Sequence, residues 1–121
     1  VACELAVERL RWEFDFQEKG YQAATFIERG LDPPEWYLNE PVPDDATRLI
    51  LEAFRRCSTE RQVGMALGPV PESAIDAFGD REGLDPDTMA VLRPAVRACD
   101  EAYLEWAEKR RKRAEGKSGN D

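Results

Sequence analysis

Catalysis needs a positioned base, nucleophile or metal, and histidine, the usual base near neutral pH, does not occur among the 121 residues. The three cysteines, Cys3, Cys57 and Cys99, stand far apart with no Cys-x-x-Cys pair, so a zinc site lacks both its spacing and its imidazoles. Neighbouring carboxylates at Asp44/Asp45 and Asp100/Glu101 are most simply solvent-facing helix residues. GMALGP, residues 64–69, has neither the spacing nor the Lys-Ser/Thr of a phosphate-binding loop. DREGLDPD, residues 80–87, shares residue types with a calcium loop but lacks its ligand spacing and its final glutamate, and helix capping accounts for it better. No catalytic residue, metal ligand or cofactor is expected, and the chain reads as a non-enzyme.

What remains is packing surface. A chain of this length, 42% hydrophobic and 35% charged, suits one small domain with one core. Cys3, Val7, Leu10 and Phe14 recur at helical spacing, which predicts a helix over residues 2–27 that Gly20 could end or bend and Gly30 stops. Trp12 and Phe16 fall off that stripe and widen the apolar surface beyond one core face, as a broad core contact or as a docking surface. Four prolines, Pro33, Pro34, Pro41 and Pro43, forbid a continuous helix across residues 31–44, while Trp36, Tyr37 and Leu38 make that stretch an ordered connector.

Asp44 is a natural N-cap for a helix to about residue 57, with Ala46, Ile50, Ala53, Phe54 and Cys57 inward and Arg48, Glu52 and Arg55 outward. Two glycines and two prolines across residues 64–71 demand a specific loop, and Pro71 then opens a short helix with Ile75 and Phe78 inward. Gly83 suits a left-handed helix end, Leu84 its hydrophobic contact, Asp85 the next N-cap and Pro86 the first helical position. Met89, Leu92, Val96, Cys99, Tyr103 and Trp106 form a sustained seam along the last helix, residues 86–113, in which Pro94 predicts a kink or two consecutive helices. The expected fold is all-α: a small single-domain bundle of four to five helices with a Pro/Gly-rich central loop and a long C-terminal helix.

Charge is divided unevenly. Residues 1–108, expected as the helical domain, hold 11 basic against 23 acidic groups, net −12. Residues 109–121 hold six against two, net +4, and read as a basic, disordered tail. The acidic body opposes docking to nucleic acid: residues 72–106, which could mimic a helix-turn-helix, carry net −6. No run approaches the roughly 18 apolar residues of a membrane span, and the start of the chain lacks a basic stretch followed by an apolar one.

Across residues 49–106 the elements Ala53-Phe54, Ser58-Thr59-Glu60-Arg61, Gly64-Met65, Gly68-Pro69-Val70-Pro71, Ala74-Ile75, Gly83-Leu84-Asp85 and Arg97-Ala98-Cys99-Asp100 through Trp106 resemble the small tailed-phage tail assembly chaperones encoded beside the tape-measure gene. The upstream PPEW and EP, Pro33 to Trp36 and Glu40-Pro41, fit the same pattern; Glu72, where the family often has tryptophan, and Pro94 depart from it. The resemblance implies a helical factor in the bacterial host cytoplasm that binds the long helical tape-measure protein and assists tail-tube assembly. Its candidate partner-binding residues are the large aromatics Trp12, Phe16, Trp36, Tyr103 and Trp106, with Arg61 and Met65 from the loop elements. Two other readings stand beside it: an acidic inhibitor that presents carboxylates in place of phosphates, and a minor virion structural protein.

Overall fold

Asp44 and Asp85 each open a helix in the way their spacing predicts. The Asp44 carboxylate accepts from the Thr47 N–H at 2.8 Å and the Asp85 carboxylate from the Thr88 N–H at 2.7 Å, each satisfying a donor the first helical turn leaves unpaired. Two helices close on glycines with positive φ, Gly30 at 73° and Gly83 at 65°. In both, the next residue bonds back across the last turn, Leu31 N–H to Phe26 O and Leu84 N–H to Gly79 O at 2.9 Å, the pattern of a Schellman end.

The computed structural model describes residues 2–64 and 66–119, with side chains through residue 116. Its described residues form α1 (Ala2–Glu28), α2 (Glu35–Leu38), α3 (Asp45–Ser58), α4 (Glu72–Glu82) and α5 (Pro86–Gly119), with no strand beyond an isolated bridge between Val63 and Leu67. The small all-α domain inferred from periodicity is what forms. α1, α3 and α5 pack against one another, α4 covers α3 and α5, and α2 lies on α1. α1 and α5 run in the same direction: Phe14 meets Tyr103 and Trp106, while Glu18 meets Trp106 and Arg113.

The core gathers Leu10 and Phe14 from α1, Ile50, Leu51 and Phe54 from α3, Ile75 and Phe78 from α4, and Leu92, Val96 and Cys99 from α5. Full burial of a side chain such as Phe78 or Ile75 is worth about 1.5–3 kcal/mol. Buried Gly79 lets α4 lie close on α5, because a Cβ there would run into the Met89 sulfur.

Several local expectations shift. Gly20 neither ends nor divides α1, and Pro94 sits inside one α5 rather than between two helices. Residues 109–119 continue α5 as helix where a disordered tail was expected; the pairing of Arg111 with Glu108 and Glu115 supports the added turns, and Arg113 reaches Glu18 of α1. Residues 120–121 lie outside the described part. On α3 the inward positions are Thr47 and Leu51 with Ile50, Ala53, Phe54 and Cys57, while Ala46 is exposed. The connector contains α2, whose Trp36 and Tyr37 are half-buried while Leu38 points to water.

Candidate partner-binding surface

α1 carries aromatic side chains on two faces because residues 12 and 16 lie four apart and residue 14 falls between them, on the opposite side of the helix. Inward, Phe14 stacks on Trp106 with ring centres 4.6 Å apart and planes within 8°, and Tyr103 joins them to Phe54. Outward, Trp12 and Phe16 stack at 5.3 Å, and α2 adds Trp36, 6.3 Å from Trp12, and Tyr37, 6.4 Å from Phe16. The Trp12 indole N–H donates to the Trp36 carbonyl at 3.0 Å, fixing α2 on α1. Arg9 lies over the Trp12 ring at 4.9 Å and anchors the chain beyond α2 through Glu40 at 2.7 Å and the Pro41 carbonyl. The result is a four-ring surface with Phe16 47% exposed at its centre.

The sequence-derived set therefore divides. Trp12, Phe16 and Trp36 are brought together on the outward face. Tyr103 and Trp106 are half-buried on the other side of α1, packed against the core, and the Trp106 indole N–H is taken by Glu18 at 3.0 Å. Met65 lies outside the described residues. Tyr37 and Arg9 complete the outward face and are not among the sequence-derived candidates; in the sequence Tyr37 marks only an ordered connector.

Arg61 is placed inward, which corrects its reading as a surface contact. Its side chain is 4% exposed and that of Asp100 2%, with Nη2 2.7 Å from Asp100 Oδ1 as an ion pair whose angles are not those of a hydrogen bond. Asp100 Oδ2 accepts from the Val70 N–H at 3.0 Å; Arg61 donates to the Gly68 carbonyl at 2.8 Å; Arg97 donates to the Val70 carbonyl at 2.6 Å and reaches Glu72 at 2.9 Å. The Tyr103 ring lies 4.8 Å from the Arg61 guanidinium carbon. These groups clamp the Gly/Pro-rich loop onto α5, and the assignment of Asp100 to solvent is corrected with them. Its position was legible: Asp100 is four residues after Val96 and three before Tyr103, on the inner seam.

The thiols are free. Burial raises the Cys57 pKa and lifts that of Cys99 to about 12, so both behave as small apolar groups. Among the described residues no three Cys, Asp or Glu side chains are grouped to hold a metal ion, and no helix is long and apolar enough to cross a membrane.

Residues 26–105 match the family described as phage tail assembly chaperone. The chain belongs to that family. No curated protein and no solved structure matches it. The matched span of this phage tail assembly chaperone takes in α2, α3, α4, the clamped loop and most of α5. Trp36, Arg61 and Tyr103 lie within it, and Trp12, Phe16 and Trp106 outside it. Family membership supplies the role, a protein that acts on other proteins during tail assembly.

Proposed function

We propose that this chaperone is a non-enzymatic holdase of the infected bacterial cytoplasm that binds the tape-measure protein and keeps it soluble until tail-tube subunits assemble around it. The observation that carries the reading is the outward four-ring surface of Trp12, Phe16, Trp36 and Tyr37. Large aromatics at the centre of a surface dominate protein contacts, and an apolar face accepts one face of an amphipathic helix. Tyr103 and Trp106 support this face from behind through Phe14.

The test is co-expression of the tagged chaperone with the tape-measure protein, followed by capture at low and high salt. Capture that survives high salt is expected, because apolar contacts are not screened. Phe16→Ala removes a half-exposed ring and is expected to lower capture with the helical signal unchanged and only a small fall in Tm. Trp106→Ala removes a ring stacked on the core residue Phe14 and is expected to lower Tm more. Recovery of a basic nucleic-acid-binding protein released by salt would favour the acidic inhibitor, and presence of the chain in purified particles a virion component.

A further inference from the structure

Residues 31–44 leave the end of α1 at Gly30, turn back and lie along the outward face of α1 as a strap that carries α2. No residue of the strap belongs to the core cluster, and α2 has no buried residue. Among the described residues the backbone hydrogen bonds of residues 32–43 stay within the strap: the N–H groups of Tyr37 and Leu38 donate to the Pro34 carbonyl and that of Asn39 to the Glu35 carbonyl. Two side chains of α1 hold it by hydrogen bonds, Trp12 through its indole N–H to the Trp36 carbonyl and Arg9 to Glu40 and the Pro41 carbonyl. Prolines on either side, Pro33 with Pro34 and Pro41 with Pro43, keep the single turn of α2 from growing. A segment with surface ties and few buried apolar contacts opens at much lower cost than the core does.

What the strap covers is apolar. Trp12, Phe16 and Ala23 are spaced by four and seven residues and share one side of α1. Ala23 is fully buried while Gln22, Ala24 and Thr25 stand exposed, and it lies outside the core cluster, so it is shielded on the strap's side of the helix. Phe16 is left half-exposed between the Trp12 and Tyr37 rings. The strap's own charges, Asp32, Glu35, Glu40 and Asp44, are four exposed carboxylates with no cation among them. A bare apolar face on α1 would invite self-association, and an acidic strap laid over it presents charge to water instead.

We propose that residues 31–44 are a displaceable strap over the partner site. A helix of the partner makes first contact at half-exposed Phe16, Trp36 and Tyr37 lift off with the strap, and the apolar stripe of the incoming helix takes their place along Trp12, Phe16 and Ala23. From Trp12 to Ala23 is about 16 Å of helix, or roughly three turns of contact. The strap rests on the outward face being the surface on which the chaperone holds the tape-measure protein, and adds that the empty chaperone keeps that surface covered. Only molecules with the strap open then bind, so the apparent affinity scales with the open fraction. Loosening the strap tightens binding by the factor by which it raises opening.

The test uses the full chain carrying Ala23→Cys, whose thiol reads the covered face, with labelling by a thiol reagent located by peptide mass. In native buffer this thiol is expected to react at least about tenfold faster than that of Cys99, which is buried in the core and reacts on unfolding. Arg9→Met removes the ties to Glu40 and Pro41 and is expected to speed labelling at position 23 about fivefold, with labelling of Cys99 changed less. In titrated capture of the tape-measure protein Arg9→Met is expected to tighten binding by the same factor, and the bound partner to slow labelling at position 23. A thiol at position 23 that reacts no faster than Cys99, or an Arg9→Met chain whose capture is unchanged or weaker, would overturn the strap and make Trp36 and Tyr37 fixed parts of the surface. If Ala23→Cys does not fold, binding of an apolar dye to the Arg9→Met chain takes its place, with a rise expected and no rise overturning the strap. Labelling that responds to Arg9→Met while no variant captures the tape-measure protein fails the proposed function and keeps an opening strap. Capture that Phe16→Ala lowers, with position 23 as slow as Cys99, keeps the function and removes the strap.

Discussion

A carboxylate and a guanidinium taken out of water gain from each other only while both are present, and Arg61 with Asp100 is such a pair. Asp100→Ala leaves the arginine charge buried and the Val70 N–H without its acceptor, and is expected to lower stability by about 3–5 kcal/mol in urea unfolding. Arg61→Met with Asp100→Leu removes both charges and is expected to lose less than Asp100→Ala alone; a larger loss in the double variant would show that the loop needs the charges themselves. The thiols give a second test at this scale. With the Cys99 pKa raised to about 12 by burial, only about one molecule in ten thousand carries its thiolate at pH 8, so a thiol reagent is expected to label half-buried Cys3 first and Cys99 only on unfolding. The cysteines were legible because a thiol on an apolar stripe is nearly always a packing group. The seam spacing of Asp100 points it inward, but the partner that makes a buried carboxylate tenable stands 39 residues earlier in the chain and only the fold brings it there.

Helix boundaries were the most readable elements, since a cap is settled by four or five neighbouring residues. Asp44, Gly30, Gly83 and Asp85 all act where their local grammar puts them. The Gly83 end is testable directly: nothing crowds a Cβ there, so Gly83→Ala reports backbone strain alone and is expected to lower stability by about 1–2 kcal/mol. The caps also set a response to acid. The backbone N–H of Thr47 holds the Asp44 carboxyl below its ordinary value of 3.8, and that of Thr88 does the same for Asp85. A depressed folded pKa contributes stability that is complete above the unfolded pKa and is lost as pH falls through the folded one. The starts of α3 and α5 are therefore expected to loosen below about pH 4, and Asp44→Asn with Asp85→Asn, which keep an acceptor but do not titrate, to flatten that part of the acid melting curve. What sequence could not supply was the pairing of α1 with α2. The spacing of Trp12 and Phe16 announced a second apolar face, but its completion by Trp36 and Tyr37 depends on a chain reversal at Gly30 and through Pro33 and Pro34.

The whole molecule exposes 8241 Å2, where a compact protein of 13.7 kDa exposes about 6,600 Å2. The excess is of the order of the total area a standard protein contact buries, about 1,600 Å2, and the extended ends of α1 and α5 contribute to it. Those ends also divide the charge. Among the described residues every buried hydrophobic lies at or before Ala102, so residues 109–116 add no core. Their described tie to another helix is the Arg113–Glu18 pair, while Lys109, Arg110 and Arg111 meet Glu105, Trp106 and Glu108 one turn back on α5. Exposed pairs contribute about 0–1 kcal/mol each, and a stability change of 1 kcal/mol moves Tm by about 4–8 °C in a domain of this size. Together these ties are worth about 2 kcal/mol, so a chain ending at Glu108 is expected to unfold in the same single transition with Tm lowered by about 15 °C or less. Its net charge becomes −12 in place of −8, which increases self-repulsion. Added salt screens that repulsion, so Tm of the shortened chain is expected to rise more steeply with sodium chloride than that of the full chain. Scanning calorimetry across a salt series reads both quantities together. A shortened chain that fails to fold would make the end of α5 a structural strut of the bundle, whereas a folded one with the steeper salt response would identify it as a counter-charge that leaves the core intact.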